Sequence, residues 1–167
     1  MHLTPKLKTY VLLVATDAYL VAVENGRLPL LATQQRLDFT EQMAWAAVMN
    51  VDGEANECHN LTAEYQKRIE HFFASKRTVL RLWKKFEFQQ AEADGRLSPE
   101  RIIADLLGDT DVPYGQKSTL ETYAVIAIEE ARRNRYDLAR TIRSVRSFVQ
   151  ARPLFLEIRE RSEVAQT

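Results

Sequence analysis

The sequence has 167 residues, of which 46% are hydrophobic and 28% charged, and its formal net charge at pH 7 is zero. This composition excludes an intrinsically disordered chain, and the length predicts a single globular domain over residues 1–167. One cysteine, Cys58, excludes an internal disulfide framework and fits a reducing, cytoplasmic location.

The N-terminal part predicts a helix over residues 5–24. Thr4 is a capping residue, Pro5 presets the first helical turn, and Gly26 supplies an end. The apolar run inside this helix contains Asp17 and falls short of the ~20 apolar residues that a membrane span needs. We therefore expect a buried helix and no membrane partner.

The next part predicts an extended segment followed by a second helix. Residues 27–32 contain Pro29 and are too few for a helix, so a short strand or extended segment is expected there. Thr40 can cap a helix over residues 41–50. The side chains expected to pack from that helix are Met43, Trp45, Ala46 and Met49.

The longest predicted helix covers residues 62–93 and ends at Asp94 and Gly95. Apolar side chains recur along it at helical spacing, and its aromatic residues Phe72, Phe73, Trp83 and Phe86 are expected in the core. A short helix over residues 99–107 follows, opened by Ser98 and Pro99 and closed by Gly108.

Two further helices are predicted in the C-terminal part. Ser118 and Glu121 form a capping box that opens a helix over residues 118–133, and Asp137 can cap a helix over residues 138–151. A final turn is expected at residues 154–161. The fold class is therefore all-α, a helical bundle of about five main helices and one short helix, with a short extended segment after the first helix.

The zero net charge conceals segregated blocks. Residues 67–101 carry nine Lys and Arg against five acids, and residues 132–167 carry nine Arg against four acids. Residues 1–66 carry four bases against eight acids, and residues 102–131 carry one base against six. A neutral chain arranged in this way can still present basic surfaces to a polyanion.

The basic residues cluster on two predicted helix faces. In the last main helix the arginines lie on one side and the apolar residues, among them Ile142, Val145 and Phe148, on the other. Arginine and lysine so placed can contact phosphates, and a solvated helix face with local ion pairs is the alternative. The candidate nucleic-acid-binding residues are Arg77, Arg81, Lys84, Lys85, Arg132, Arg133, Arg135, Arg140, Arg143 and Arg146.

Residue patterns typical of catalysis or metal binding are weak. Cys58 and His59 lack the second pair that a zinc site requires, and His2 and His71 are not at ligand spacing. The acidic residues Asp105, Asp109 and Asp111 have no Gly-centred calcium loop around them. We expect no metal, no cofactor and no enzymatic activity.

The layout resembles the small subunit of a type I CRISPR Cascade effector. It is most similar to the separately translated C-terminal portion of the subtype I-D large subunit. The resemblance lies in an apolar opening helix that runs into VENGRLPLL (residues 23–31) and a long basic helix that ends in AEADGRL (residues 91–97). A closing helical pair with an Arg-rich face completes it.

The resemblance implies a noncatalytic subunit, present in several copies, within a guide-RNA complex for antiviral defence. Such a subunit steadies the RNA–DNA hybrid and the displaced single strand through backbone contacts, without reading sequence. Its partners would be nucleic acid, the other effector subunits and copies of itself. The acidic and basic blocks would then also serve head-to-tail stacking.

Two alternatives belong to other classes. The first is a helical protein–protein adaptor whose basic faces bind an acidic protein partner, and the second is a small helical enzyme whose site is assembled from distant residues. Competition by generic single-stranded DNA separates nucleic-acid binding from the adaptor.

Overall fold

A computed structural model describes residues 4–52, 61–108 and 110–152, and in this part of the chain all regular structure is helical. The helices are α1 (Pro5–Glu24), α2 (Thr33–Asp52), α3 (Ala63–Ala74), α4 (Lys76–Ala93), α5 (Pro99–Leu107), α6 (Tyr114–Arg133) and α7 (Leu138–Gln150). The predicted all-α bundle is confirmed. Among the described residues no helix is long and apolar enough to cross a membrane.

The chain divides into two compact units, Met1–Phe86 and Glu87–Thr167, each with its own buried core. The first core is built from α1, α2, α3 and the beginning of α4, and the second from the end of α4 together with α5, α6 and α7. The single domain over residues 1–167 stays a prediction.

Local capping chemistry sets several helix ends as predicted. Thr4, Ser98 and Asp137 each accept a hydrogen bond from a backbone N–H of the first turn of α1, α5 and α7. Gly108 follows α5 with a φ of 59°, in the left-handed region that favours glycine. These ends depend on residues within four positions of each other.

Residues 27–32 are non-helical, as predicted, and the phenol of Tyr19 holds them. Its hydroxyl donates to the Pro29 carbonyl at 3.1 Å and accepts from the Leu31 N–H at 2.8 Å. Leu28 is buried in the core of the first unit. Tyr19 is itself fully buried, so this pair of hydrogen bonds satisfies its polar end.

The predicted start of α2 is wrong, because the helix begins at Thr33 rather than at residue 41. Thr40 lies inside it, and its buried hydroxyl donates to the Arg36 carbonyl at 2.9 Å instead of capping a helix end. Phe39 and Met43 are fully buried. The prediction for Met43 is correct, whereas the packing of Trp45 and Met49 is not, since they are 40% and 66% exposed.

The long helix predicted over residues 62–93 is interrupted at Ser75, whose backbone is extended with φ −78° and ψ 116°. On a continuous helix Phe73 and Val79 would lie about 120° of arc apart, since each residue advances the helix by about 100°. Both are buried in the same core. The break therefore brings the apolar sides of α3 and α4 onto one core.

The capping box predicted at Ser118 and Glu121 is also wrong. Helix α6 begins four residues earlier, at Tyr114, with Pro113 at the capping position and no side-chain cap. Ser118 lies inside the helix, where its carbonyl accepts a hydrogen bond from the Thr122 hydroxyl. Pro113 fixes its own φ near the helical value, so the chain enters α6 directly after it.

Of the aromatic residues expected in the core, Phe73 and Phe86 are buried. Phe72 and Trp83 are half-buried and pack against the same core. In α7, Val145 and Val149 are buried, and the other predicted packing residues are half-buried against the second core: Leu138, Ile142 and Phe148. The final turn predicted at residues 154–161 lies outside the described residues.

Candidate nucleic-acid interface

The connection between α6 and α7 is a tight turn that side-chain and backbone contacts hold in place. Asn134 and Tyr136 donate their backbone N–H groups to carbonyls in the last turn of α6. Tyr136 has a φ of 51°, unusual for a residue other than glycine, and its ring packs against Phe88 at 5.5 Å between centroids. Asp137 then caps α7 by accepting from the Arg140 N–H at 3.0 Å.

Residues of this turn line an open polar groove of about 520 Å³. Arg133 comes from the last turn of α6, Arg135 from the connection and Arg140 from the first turn of α7. All three are exposed. We call this groove the arginine groove, and its other lining residues are Ala127, Glu130, Ala131, Asn134, Asp137, Thr141 and Ser144.

The electrostatics of the arginine groove favour an anion. Three arginines and two acids, Glu130 and Asp137, line it, and one oxygen of Asp137 accepts the capping hydrogen bond of α7. Within the described ranges, Arg133, Arg135 and Arg140 form no ion pair. Their donors are therefore available to a phosphate, whose oxygens match the planar fork of arginine.

Arg143 and Arg146 are exposed on α7 but do not line the arginine groove. They lie about 60° and 120° of arc from Arg140, on the side of the helix away from Ser144. The opposite side of α7 buries Val145 and Val149, as the sequence pattern predicts. Of the three arginines predicted on this face of α7, Arg140 therefore lines the groove, and Arg143 and Arg146 lie outside it.

Arg132 forms an ion pair within the second unit. Its Nε donates to Glu92 Oε1 on α4 at 2.9 Å, and this hydrogen bond raises the pKa of the Arg132 guanidinium above its ordinary value. The pair is partly exposed, so its contribution to stability is small. Arg132 thus links α6 to α4 by one ion pair and, among the predicted binding residues, is already engaged within the protein.

The remaining predicted residues lie in the first unit, on α4. Arg77 and Arg81 are exposed, and Lys84 and Lys85 are half-buried with contacts inside the protein. All four fall within about 100° of arc on the helix, as predicted. They belong to the unit Met1–Phe86, whereas the arginine groove belongs to Glu87–Thr167.

An aromatic stack beside the arginine groove was not predicted from the sequence. Tyr123 of α6 and Phe148 of α7 lie face to face, with centroids 3.7 Å apart and ring planes 2° from parallel. The guanidinium carbon of Arg152 lies 3.8 Å from the centroid of Phe148. The helical spacing marks Phe148 only as an apolar residue, so its pairing with Tyr123 follows from the packing of α6 on α7.

The first unit contains an apolar cavity of about 340 Å³ between α1, α3 and the start of α4. The charged residues around it are two acids, Asp17 and Glu70, and two bases, Arg27 and Lys76. Opposite charges in equal number do not select a ligand of either sign. The charges around the cavity therefore do not indicate a class of ligand, whereas those of the arginine groove do.

No group of three or more His, Cys, Asp or Glu side chains in the described part of the chain could hold a metal ion. Asp105 and Asp111 are exposed there, and His71 is exposed on α3. The candidates His2, Cys58, His59 and Asp109 lie outside the described residues. The expected absence of metal and catalysis stays a prediction.

Comparison with known proteins gives no match to a family model, to a curated protein or to a solved structure. The geometry and charge of the arginine groove are therefore the basis on which we propose a function.

Proposed function

We propose that this protein is a noncatalytic nucleic-acid-binding subunit that contacts the phosphate backbone through the arginine groove. The observation that carries the proposal is the convergence of Arg133, Arg135 and Arg140 on one groove at the α6–α7 turn. Arginine binds phosphate through two parallel hydrogen bonds, which fixes a strand in place without reading its sequence.

The ion pairs near the groove support this function over a solvated helix face. A solvated face with local ion pairs would engage most of its arginines with neighbouring acids. In the described part of the chain, only Arg132 among the predicted C-terminal arginines forms such a pair. The three groove arginines also line one groove from two helices and a turn, an arrangement suited to one shared anion or to successive phosphates.

The biological setting that we propose is the small subunit of a type I CRISPR Cascade complex, on the sequence resemblance described above. In that setting the arginine groove would hold the displaced strand or the RNA–DNA hybrid, and the protein would need no active site of its own. Arg143 and Arg146, on the outer side of α7, would meet a neighbouring strand or subunit. The location would be cytoplasmic, and copies of the chain would stack beside the other effector subunits.

The test is a titration with fluorescent single-stranded DNA, RNA–DNA hybrid and duplex DNA of unrelated sequences at several salt concentrations. The groove variant replaces Arg133, Arg135 and Arg140 by Gln. We expect it to stay folded, to bind more weakly, and to lose about 0.7 from the slope of log affinity against log salt for each single-strand contact removed. The loss should be similar for unrelated sequences.

The matched control removes the same charge elsewhere, by replacing Lys6, Lys8 and Arg27 with Gln. These side chains are exposed in the first unit, so nonspecific charge attraction would fall equally in both variants, whereas groove binding would fall only in the groove variant. Equal affinity of the groove variant and the wild type would contradict the proposal. Retained nucleic-acid binding with loss of self-association or of an acidic protein partner would favour the adaptor.

A further inference from the structure

We propose that Tyr123, Phe148 and Arg152 form a stacking platform for one base of a single-stranded nucleic acid, continuous with the arginine groove. This inference rests on the proposed nucleic-acid binding and adds two points to it. Single strands are the preferred ligand, and one base of the bound strand stacks on an aromatic side chain of the protein.

The geometry of the two rings is that of stacked bases. Aromatic pairs in proteins prefer offset or edge-to-face arrangements over a face-to-face sandwich. The other ring pairs given for the described residues are edge-to-face or tilted, with interplanar angles between 36° and 88°. Tyr123 and Phe148 instead lie parallel at 3.7 Å, close to the rise of about 3.4 Å between successive nucleotides.

Arg152 occupies the place that a base would take. Tyr123 covers one face of Phe148, so the guanidinium group at 3.8 Å from the ring centroid covers the other. Arg152 lies beyond the end of α7, is exposed, and forms no ion pair with the described part of the chain. A planar base can replace the planar guanidinium on Phe148, and the released Arg152 can then contact the adjoining phosphate.

The stacking platform and the arginine groove are joined by direct contacts. Ser144 lines the groove, and its Oγ forms a hydrogen bond of 3.2 Å with the hydroxyl of Tyr123. Arg140 and Phe148 are eight residues apart on α7, which corresponds to about 12 Å at 1.5 Å per residue. This length accommodates about three to four stacked nucleotides, so one strand can place phosphates at the groove and a base on Phe148.

A duplex does not offer such a base, because its bases already stack on each other inside the helix. Single strands expose the π-faces of their bases, and stacking on aromatic side chains tolerates any base. The stacking platform therefore adds affinity for single strands without adding sequence specificity, which agrees with the backbone contacts proposed for the arginine groove.

The experiment uses the full chain and a short DNA oligonucleotide, either intact or with abasic sites at every position. Phe148→Leu removes the ring and keeps an apolar side chain at a half-buried position. We expect it to lower affinity for the intact strand by about fivefold to a hundredfold while leaving the salt slope unchanged. Phe72→Leu is the matched control, because Phe72 is half-buried against the core of the first unit and lies outside the stacking platform, so its replacement should leave affinity unchanged.

The abasic strand tests the stacking platform on the wild-type protein, so the test remains valid even if Phe148→Leu fails to fold. Wild-type protein should bind the abasic strand more weakly than the intact strand, and Phe148→Leu should bind the two strands alike. Equal binding of both strands by wild-type protein would overturn the stacking platform and leave the arginine groove standing. Wild-type protein that binds neither strand at low salt would overturn both proposals.

Discussion

Phe39 occupies the centre of the aromatic core in the first unit, and its replacement by Ala is the sharpest test of that core. The side chain is fully buried, and its ring lies 5.9 Å from Tyr19, 5.4 Å from Trp83 and 5.0 Å from Phe86 between centroids. Three elements, α1, α2 and α4, therefore meet on one side chain.

Removing the ring leaves a cavity that its neighbours cannot fill without losing their own contacts. A Phe→Ala change in a core costs about 3–5 kcal/mol, and each aromatic pair contributes about 0.5–1.5 kcal/mol beyond buried area. With three such pairs we expect the loss for Phe39→Ala at the upper end, about 5 kcal/mol. Domains are stable by only about 5–15 kcal/mol, so this one change removes much of the total.

Urea denaturation monitored by tryptophan fluorescence measures this loss, since Trp83 contacts the Phe39 ring directly. At a typical slope near 2 kcal/mol/M, the unfolding midpoint should fall by about 2.5 M. Leu37→Ala is the matched control on the same helix, because Leu37 is 52% exposed and should cost about 1 kcal/mol or less. Similar midpoints for the two variants would refute the packing of Phe39 described above.

Two further predictions concern backbone conformation and pH. Gly95 has a φ of 75° with open space around its Cα, so Gly95→Ala should cost about 1 kcal/mol through backbone strain alone. Gly115 lies in helix α6 with equally open space and no positive φ, so Gly115→Ala should raise the free energy of unfolding by about 0.5–1 kcal/mol. Denaturation that shows both substitutions changing stability in the same direction would contradict this prediction. Burial and the hydrogen bond to Glu70 raise the pKa of Tyr10 to about 12 from 10.0. The stability that the protonated phenol contributes is thus complete below about pH 10 and is lost as the pH rises through 12. Tyr10→Phe should therefore make the free energy of unfolding less dependent on pH in this window. Identical pH profiles of the variant and the wild type would contradict the raised pKa of Tyr10.

The sequence alone determined the helical class and those helix ends that depend on neighbouring residues. Thr4, Ser98 and Asp137 cap their helices because a short polar side chain reaches a backbone N–H only three residues ahead. The sequence also identified Arg140 as an exposed cation, since the periodicity of α7 assigns its apolar residues to the buried side, and it identified Arg133 and Arg135 as charges at the turn before α7.

Tertiary packing decided the rest. No glycine or proline lies near Ser75 to mark a break, and the helix is interrupted there because the apolar sides of α3 and α4 must face the same core. Helix α2 extends back to Thr33 for a related reason, since Phe39 completes the aromatic core only as part of that helix.

The candidate site shows the same division. The sequence identifies its arginines. It does not show which of them line the groove, which lie on the outer face of α7 and which form an ion pair. Arg132 is tied to Glu92, 40 residues earlier in the chain, and the stacking platform joins α6 to α7. Contacts between residues so distant in sequence are set by how helices pack, because the free energy that selects them is shared by the whole core and not by any local segment.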